Sequence, residues 1–499
     1  MSRLVCVSNR VSLPKRGAPP GGLAVGLLAA LRQTGGLWYG WGGEVVNEEP
    51  GKAEIHIRDN VTFATIDIRR RDFDPFYNGF ANGTLWPLFH YLLRGFHFND
   101  DQHDAYQRVN RLFAHRLVPL LKPDDVIWIH DYQLIPMGER LRELGVTQPI
   151  GFFLHIPFPH IEMLRILPTY AELLRELSAY DVVGFQTDND LRSFHSGIRH
   201  LWGPDSVSDD GHLSIGNRTV RSGVYPIGVD VASIERDAAE GARSEAVRRM
   251  TESLLGRKLM IGVDRLDYSK GLIERFAAYQ RFLETYPDNQ GKITFMQIAP
   301  LSRGNVRAYV EIRQALEQAA GQLNGRFGDA DWTPVRYLNK NIPHAALMGF
   351  LRAAQLALVT PARDGMNLVA KEFVAAQDPQ DPGVLILSPL AGAARELTGA
   401  LQVNPYDARG LATAMQAALA MPLGERRERH SANMEVIRRN DVMAWHKRFV
   451  RDLSAVRHRG EKPDEEGFAL DGLTAQKTEP TPEDARAARK PRERRVVGS

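Results

Sequence analysis

Short apolar runs recur along this chain, each closed by a polar or glycine-rich turn and followed by a stretch whose apolar positions return at helical spacing. In the first half the runs are Leu4–Val7, Val126–His130, Ile150–His155, Val182–Gln186 and Val224–Ile227. In the second half they are Leu259–Val263, Ile293–Ile298, Ala357–Thr360 and Val384–Ser388. Amphipathic stretches such as Glu162–Tyr180 and Val306–Leu323 lie between them. Continuous apolar strands alternating with helices predict parallel sheets covered on both faces. Two such sets in one chain predict an α/β protein with two doubly wound, Rossmann-like domains, over residues 1–235 and 236–456. The polar helical segment Asp230–Arg257 marks the boundary. Segment 40–125, rich in aromatics (Trp41, Phe76, Tyr77, Phe80, Trp86, Phe89), breaks the alternation and reads as an insertion or a set of loops beside the cleft.

From about Arg457 the periodicity stops, and Pro, Gly and charged residues take over. Residues 457–499 read as a disordered tail, because such a segment buries too little apolar surface to offset its ordering entropy. A nucleic-acid or membrane contact is the alternative for its basic end. The 499 residues exceed one ordinary core, which agrees with two domains. The formal net charge of +3 gives no footprint for nucleic acid, since 63 basic residues face 60 acidic ones and do not gather in a folded segment. The single cysteine, Cys6, excludes an internal disulfide and a cysteine-built zinc site, and inside Leu4–Val7 it reads as a small buried hydrophobe. No apolar stretch approaches the roughly 20 residues that span a bilayer. The first residues enter a strand without a signal-peptide pattern, so the expected compartment is the cytoplasm.

The polar motifs fall almost entirely after predicted strands. They are Ser8-Asn9-Arg10, His130-Asp131-Tyr132, His155-Ile156-Pro157, Arg265 to Gly271, Pro300 to Gly304, and Arg363-Asp364-Gly365. Strand carboxyl ends of a parallel sheet share one edge, where open α/β sheets bind ligands. Two facing domains would therefore gather these groups across a cleft. The stretch Ala362 to Glu372 is the richest: a carboxylate, a glycine, the N–H groups of a starting helix and a second carboxylate. It reads as a pocket for a phosphorylated ligand with a sugar-like portion. Arg265 and Lys270 could hold a diphosphate, the Arg as a directed fork and the Lys as a mobile charge. The Gly21-Gly22 turn could let backbone approach a phosphate or sugar. His130-Asp131 and His155 are further site candidates. Asp188-Asn189-Asp190 reads as a helix cap more than a metal motif, and no cluster has metal spacing. The chemistry is expected to need no metal and no cofactor. Neither a G-x-S-x-G elbow, a P-loop nor a dinucleotide fingerprint is present.

Taken in order, Val7-Ser8-Asn9-Arg10, Gly21 to Gly26, Trp128 to Tyr132, Gly151 to Pro159, Arg265 to Gly271 and Arg363 to Glu372 resemble the trehalose-6-phosphate synthases, retaining glycosyltransferases of the two-domain GT-B architecture. The likeness runs from Ser2 to about Leu453. It implies transfer of glucose from a nucleotide sugar, usually UDP-glucose, to glucose 6-phosphate, giving α,α-trehalose 6-phosphate. It also allows a homo-oligomer, and a last helix that packs back on the first domain. By resemblance, Arg265 and Lys270 bind the donor diphosphate with Gly21 and Gly22 opposite. Ile342, Leu368, Val369, Ala370, Lys371 and Glu372 line the nucleotide pocket, with Glu372 accepting from ribose hydroxyls. Asp364 and His155 hold the transferred glucose. Arg10, Arg303 and Tyr77 clamp the acceptor phosphate, Asp131 binds acceptor hydroxyls, and Trp41 and Trp86 shape the sugar pocket. Departure of the diphosphate puts charge where the cations stand, and no protein nucleophile is assigned. Two positions depart from the family pattern. Ile342 stands where relatives can carry an aromatic near the base, and Gln133 where a histidine is common. The alternatives are a related transferase using GDP-glucose, or making glucosylglycerol phosphate or a pseudo-disaccharide phosphate, and a silent sugar-phosphate sensor.

Overall fold

Fifteen strands form two sheets in the computed structural model, which describes residues 2–11, 27–28, 31–32, 34–301 and 307–456. The first sheet takes β1 (Leu4–Arg10), β2 (Gly36–Val46), β3 (Glu54–Arg58), β4 (Val61–Arg69), β5 (Val126–His130), β6 (Ile150–Phe153), β7 (Val182–Phe185), β8 (His212–Ile215) and β9 (Arg218–Val224) in the order β3-β4-β2-β1-β5-β6-β7-β9-β8. Its inner strands are parallel, and β3 and β8 close the two edges antiparallel. The second sheet is parallel throughout: β10 (Lys258–Val263), β11 (Ile293–Ile298), β12 (Val335–Leu338), β13 (Leu356–Val359), β14 (Val384–Leu387) and β15 (Leu401–Gln402), in the order β12-β11-β10-β13-β14-β15. Strand order reverses between β1 and β5 and again between β10 and β13. Such reversals open a crevice at the strand carboxyl ends; Arg10 ends β1, and the segments that follow β5, β10 and β13 carry Asp131, Arg265 and Asp364.

Several sequence expectations need correction. Segment 40–125 is not an insertion: most of β2, all of β3 and β4, and the helix Asp100–Leu117 lie inside it and belong to the sheet and its cover. β2 hides because Gly36-Leu37-Trp38-Tyr39-Gly40-Trp41 mixes glycine with aromatics where aliphatic runs signal strands elsewhere, and β3 and β4 hide because their apolar residues alternate with polar ones. The run Val224–Ile227 stops pairing at Val224, since Pro226 has no N–H to donate and the chain leaves the sheet there. Glu162–Tyr180 is two helices, Ile161–Leu164 and Tyr170–Leu177, parted around Pro168. The helix at Asp188 is capped by Thr187, whose hydroxyl accepts from Asp190 N, while the Asp190 carboxylate accepts from Phe158 N at 2.9 Å. Asp190 therefore braces the Pro157-Phe158-Pro159 loop. The tail from Arg457 onward, with Gly21, Gly22 and Arg303, lies outside the described residues. Among the described residues no helix is long and apolar enough to cross a membrane.

The chain passes from the first lobe to the second near Ile227–Asp230 and returns at Asn440–Val442. The final helix, Val442–Ser454, then lies on the first sheet, with Phe449 stacked on Trp128 (centroids 4.6 Å apart, planes 13° apart) and Trp445 beside it. Gly151 makes room for it, because a Cβ there would stand 2.7 Å from the Phe449 ring. This helix, the face of β5 and β6, and the inner face of the second lobe share one buried apolar cluster.

Candidate active site

The loop after β10 is shaped by a buried guanidinium that the sequence motifs do not announce. Arg275, wholly buried on the helix Leu272–Thr285, donates to Asp264 (2.6 Å), Gln297 (2.9 Å), Thr360 Oγ1 (3.1 Å) and the Lys270 carbonyl (3.3 Å). Asp267 adds a second brace, accepting from Ser269 N and from Tyr309 Oη at 2.9 Å each. These bonds fix the turn that presents Arg265 and Lys270. Arg265 is exposed, and its guanidinium stands 5.8 Å from the Trp86 ring centroid of the opposite lobe. Lys270 is nearly buried and donates to Asp364 Oδ2 at 2.5 Å. Asn367 donates to the same oxygen at 3.0 Å. Both of these bonds fall on Oδ2.

Asn367 also starts the helix Leu368–Ala376. At φ 73° it takes the left-handed conformation that asparagine tolerates, and its side chain accepts from Ala370 N. Leu368 and Val369 are half-buried on the first turn, Ala370 is buried, and Glu372 follows. Desolvation alone pushes the Glu372 carboxyl up to about 7. Lys371 is a correction to its expected place in the nucleotide pocket. One residue on an α-helix is a turn of about 100°, and the Lys371 ammonium is wholly buried against Ile227 O (2.7 Å) and Glu396 (2.6 Å). Ile342 lies in the turn before the helix His344–Ala353, half-buried against the interlobe cluster.

At Gly365 the two lobes come close together. A Cβ there would fall 2.1 Å from the His155 carbonyl oxygen and 2.9 Å from Ile156 Cα. His155 N in turn donates to Asp131 at 3.2 Å, and its Nε2 lies 3.2 Å from His130 Nδ1. Burial takes His155 down to about 3, and His130 falls well below the ordinary histidine value. Burial thus favours the neutral form of both rings. Asp131 carries backbone strain, at φ 76° and ψ 164°. That region is almost reserved for glycine and costs about 1–3 kcal/mol. It is held by Asp131 N donating to Phe153 O and Leu134 N donating to Asp131 O.

On the first lobe, Arg10, Trp41, Phe73 and Tyr77 form one column. Arg10 stands 5.3 Å from the Trp41 ring, Trp41 4.9 Å from Phe73, and Phe73 stacks on Tyr77 at 5.6 Å. Tyr77 rides on Asp74–Leu85, a segment of π-type helix, a rare form that concentrates at functional sites. Trp86 sits apart, between Tyr132 (5.6 Å) and Arg265. Gln133 is buried, and its carbonyl accepts from Asn110. The sequence reading gave no role to Arg363, whose guanidinium lies 3.9 Å from the Tyr91 ring across the cleft, or to Asn367 and Arg275. The first two stood inside a recognised motif. Arg275 was detectable only as a charge among Leu272, Phe276 and Tyr279 on an otherwise apolar helix face.

Two doubly wound lobes meet at their switch points, with an exposed arginine and a lysine–carboxylate pair at the crevice. That combination is the architecture of a GT-B glycosyltransferase. The profile of glycosyltransferase family 20 matches residues 14–455, and the chain belongs to that family. A trehalose-6-phosphate synthase of Cronobacter sakazakii is 49% identical over 460 residues, covering 91% of this chain and 96% of that one. The UDP-forming α,α-trehalose-phosphate synthase of Burkholderia xenovorans, solved with glucose 6-phosphate, superposes with a TM-score of 0.88 at 47% identity, covering 91% of this chain and 100% of that one. An E. coli structure with UDP-2-fluoro glucose bound gives a TM-score of 0.87 at 47% identity, covering 92% and 100%.

Proposed function

We propose that this chain transfers glucose from UDP-glucose to glucose 6-phosphate with retention, forming α,α-trehalose 6-phosphate and UDP. The observation that carries this is the continuous chain of contacts Lys270–Asp364–Gly365–His155–Asp131, which links the ends of β13 and β10 to those of β6 and β5 across the cleft. In this reading the donor diphosphate lies against Arg265 and the free N–H groups of Lys270. Asp364 Oδ1 takes a hydroxyl of the transferred glucose, and Glu372 takes the ribose. The acceptor lies toward Asp131, with its phosphate toward the Arg10–Tyr77 column and Trp41 and Trp86 flanking the sugar. Arg303, Gly21 and Gly22 keep the roles that the family likeness implies.

The charges suit the reaction. As the glycosidic C–O bond breaks, negative charge grows on the diphosphate beside two cations, which favours the transition state over the ground state. Positive charge grows on the glucosyl carbon near His155 and His130, and their depressed pKa values keep a competing cation away. The acceptor hydroxyl attacks from the face the diphosphate leaves, and the leaving phosphate oxygen takes its proton. Closure excludes water from the glucosyl centre. The cytoplasm is the compartment in which we place the reaction, since both substrates are charged and do not cross a bilayer unaided.

The direct test supplies UDP-glucose, GDP-glucose or ADP-glucose with glucose 6-phosphate, follows nucleoside diphosphate release, and identifies the sugar by NMR. UDP release that depends on glucose 6-phosphate, with an α,α-1,1-linked disaccharide phosphate as product, is expected. Tight ligand binding without release would make the protein a sensor, and release without that disaccharide would mean another acceptor.

The raised pKa of Glu372 gives a pH signature. Ribose hydroxyls donate best to the ionised carboxylate, which predominates only above about pH 7. KM for UDP-glucose is therefore expected to climb as pH falls through about 7, approaching tenfold per unit in the limit where only the ionised form binds. Glu372→Gln should flatten that dependence while weakening donor binding at high pH. A wild-type KM constant from pH 8 to 6 would remove Glu372 from the donor contacts.

A further inference from the structure

The two passages between the lobes run side by side. Val442 N donates to Val229 O at 3.3 Å, and a Cβ on Gly228 would come within 2.1 Å of the Asn440 carbonyl. A buried polar bracket clasps both. Lys371 Nζ donates to Ile227 O on the outgoing passage at 2.7 Å and to Glu396 Oε2 at 2.6 Å. The other oxygen of Glu396 accepts from Asn440 Nδ2 on the returning passage at 2.8 Å, and Asn440 Oδ1 accepts from Arg448 of the final helix at 2.6 Å. The ammonium thus holds one passage directly and the other through a single carboxylate.

The position of this lysine matters more than its bonds. It lies on Leu368–Ala376, the nine-residue helix whose adjoining face, about 100° round the axis, carries Leu368, Val369 and Glu372. So short a helix moves as one body. A shift of its donor-facing side must be followed at Nζ, where two short bonds are shut off from solvent. Burial already strains the ammonium, pulling its pKa down against the support of Glu396. A lysine kept only to hold the fold would be an expensive choice here, since an apolar residue of similar volume often serves as well as a buried ion pair.

We infer that Lys371 is a positioning residue that couples the donor pocket to the interlobe hinge, so that donor seated against its helix sets the closed arrangement of the two lobes. The inference rests on the proposed donor site. UDP approaching Glu372 and the first turn of the helix biases the lysine bracket, and the bracket fixes the angle at which both passages leave the second lobe. Without it the donor would still bind, but the first lobe would close less completely, and water would compete with the acceptor hydroxyl for the glucosyl carbon.

Lys371→Met, which keeps the length of the side chain and removes the charge, tests this together with Asn440→Leu, which opens the bracket without touching the donor helix. Three quantities are read: UDP affinity by calorimetry, the change in radius of gyration on adding UDP, and UDP release from UDP-glucose with and without glucose 6-phosphate. In both variants UDP affinity is expected within about threefold of wild type. The UDP-driven compaction should shrink, and the acceptor-independent share of UDP release should rise about tenfold or more. Lys371→Arg should recover part of the coupling. A lysine that only stabilises the fold would lower the melting temperature and leave that share unchanged. Wild-type compaction and partition in the folded variants would overturn the inference. If Lys371→Met does not fold, Asn440→Leu decides alone. Failure of UDP to bind the wild-type protein would overturn the donor site and this inference together, and is distinct from variants that bind UDP and close normally.

Discussion

Arg265→Ala and Lys270→Ala are each expected to lower kcat by about 10²–10³-fold, the usual cost of removing one preorganised group that faces developing negative charge. The two differ in their surroundings, so their side effects should differ. Arg265 is exposed, and its one close neighbour of note is the Trp86 ring, so its loss should leave the melting temperature near wild type. Lys270 is nearly buried against Asp364, and its removal leaves that carboxylate, among the described residues, with the Asn367 amide alone as side-chain partner. Breaking one side of such a pair costs on the order of 3 kcal/mol. Lys270→Ala should therefore melt earlier, while Lys270→Ala/Asp364→Asn should regain stability without regaining turnover. Rates at saturating donor and acceptor, with melting curves on the same preparations, check both statements. Near-wild-type turnover in both single variants would place the leaving diphosphate elsewhere.

Much of this site was legible because parallel strands advertise themselves twice, by an apolar run and by the polar turn that ends it. β1, β5, β10, β11 and β13 follow that rule, and Arg10, Asp131, Arg265, Lys270 and Asp364 could be gathered to one edge before any coordinates. β2 and β4 broke it. In β2, Trp38 and Tyr39 are core residues, but the glycines around the aromatics erase the aliphatic signature; β4 alternates Val, Phe and Ile with Thr and Asp instead of running aliphatic, so both read as loops. The family likeness named Arg10, Trp41 and Tyr77, but their alignment into one column through Phe73 left no mark in the sequence. Stacking of Phe73 on Tyr77 depends on a π-type helical segment, and no periodicity in Asp74–Leu85 specifies that form. Lys371 shows the other limit. Motif position puts it beside Glu372 in sequence, but helical rotation sends the two side chains to opposite tasks. Only the coordinates reveal that the lysine reaches Ile227, 144 residues away along the chain. Long-range pairings of this kind leave no local trace.

Gly365→Ala is expected to lower kcat at least about 10²-fold although it adds a single methyl group. The added Cβ would stand 2.1 Å from the His155 carbonyl oxygen and 2.9 Å from Ile156 Cα, both backbone atoms that no rotamer change can move. Retreat is blocked from behind, because the Gly365 carbonyl already packs against Gly392, where a Cβ would come within 1.9 Å of it. Relief must come from separating the lobes by about 1 Å to restore van der Waals distance. A misplacement of about 1 Å between reacting groups costs roughly 10²-fold in rate. In the proposed arrangement UDP contacts mainly the second lobe, so its affinity should change little. The rate with glucose 6-phosphate should collapse, and the acceptor-independent share of UDP release should grow. Gly321→Ala is the matching control, since nothing lies within 4 Å of a Cβ at that helical position. Alanine there should leave turnover untouched and stabilise the helix by about 0.5–1 kcal/mol. Unchanged turnover in Gly365→Ala would mean that His155 and Gly365 separate before the glycosidic bond breaks, and the donor carbon would then have to be placed away from that contact.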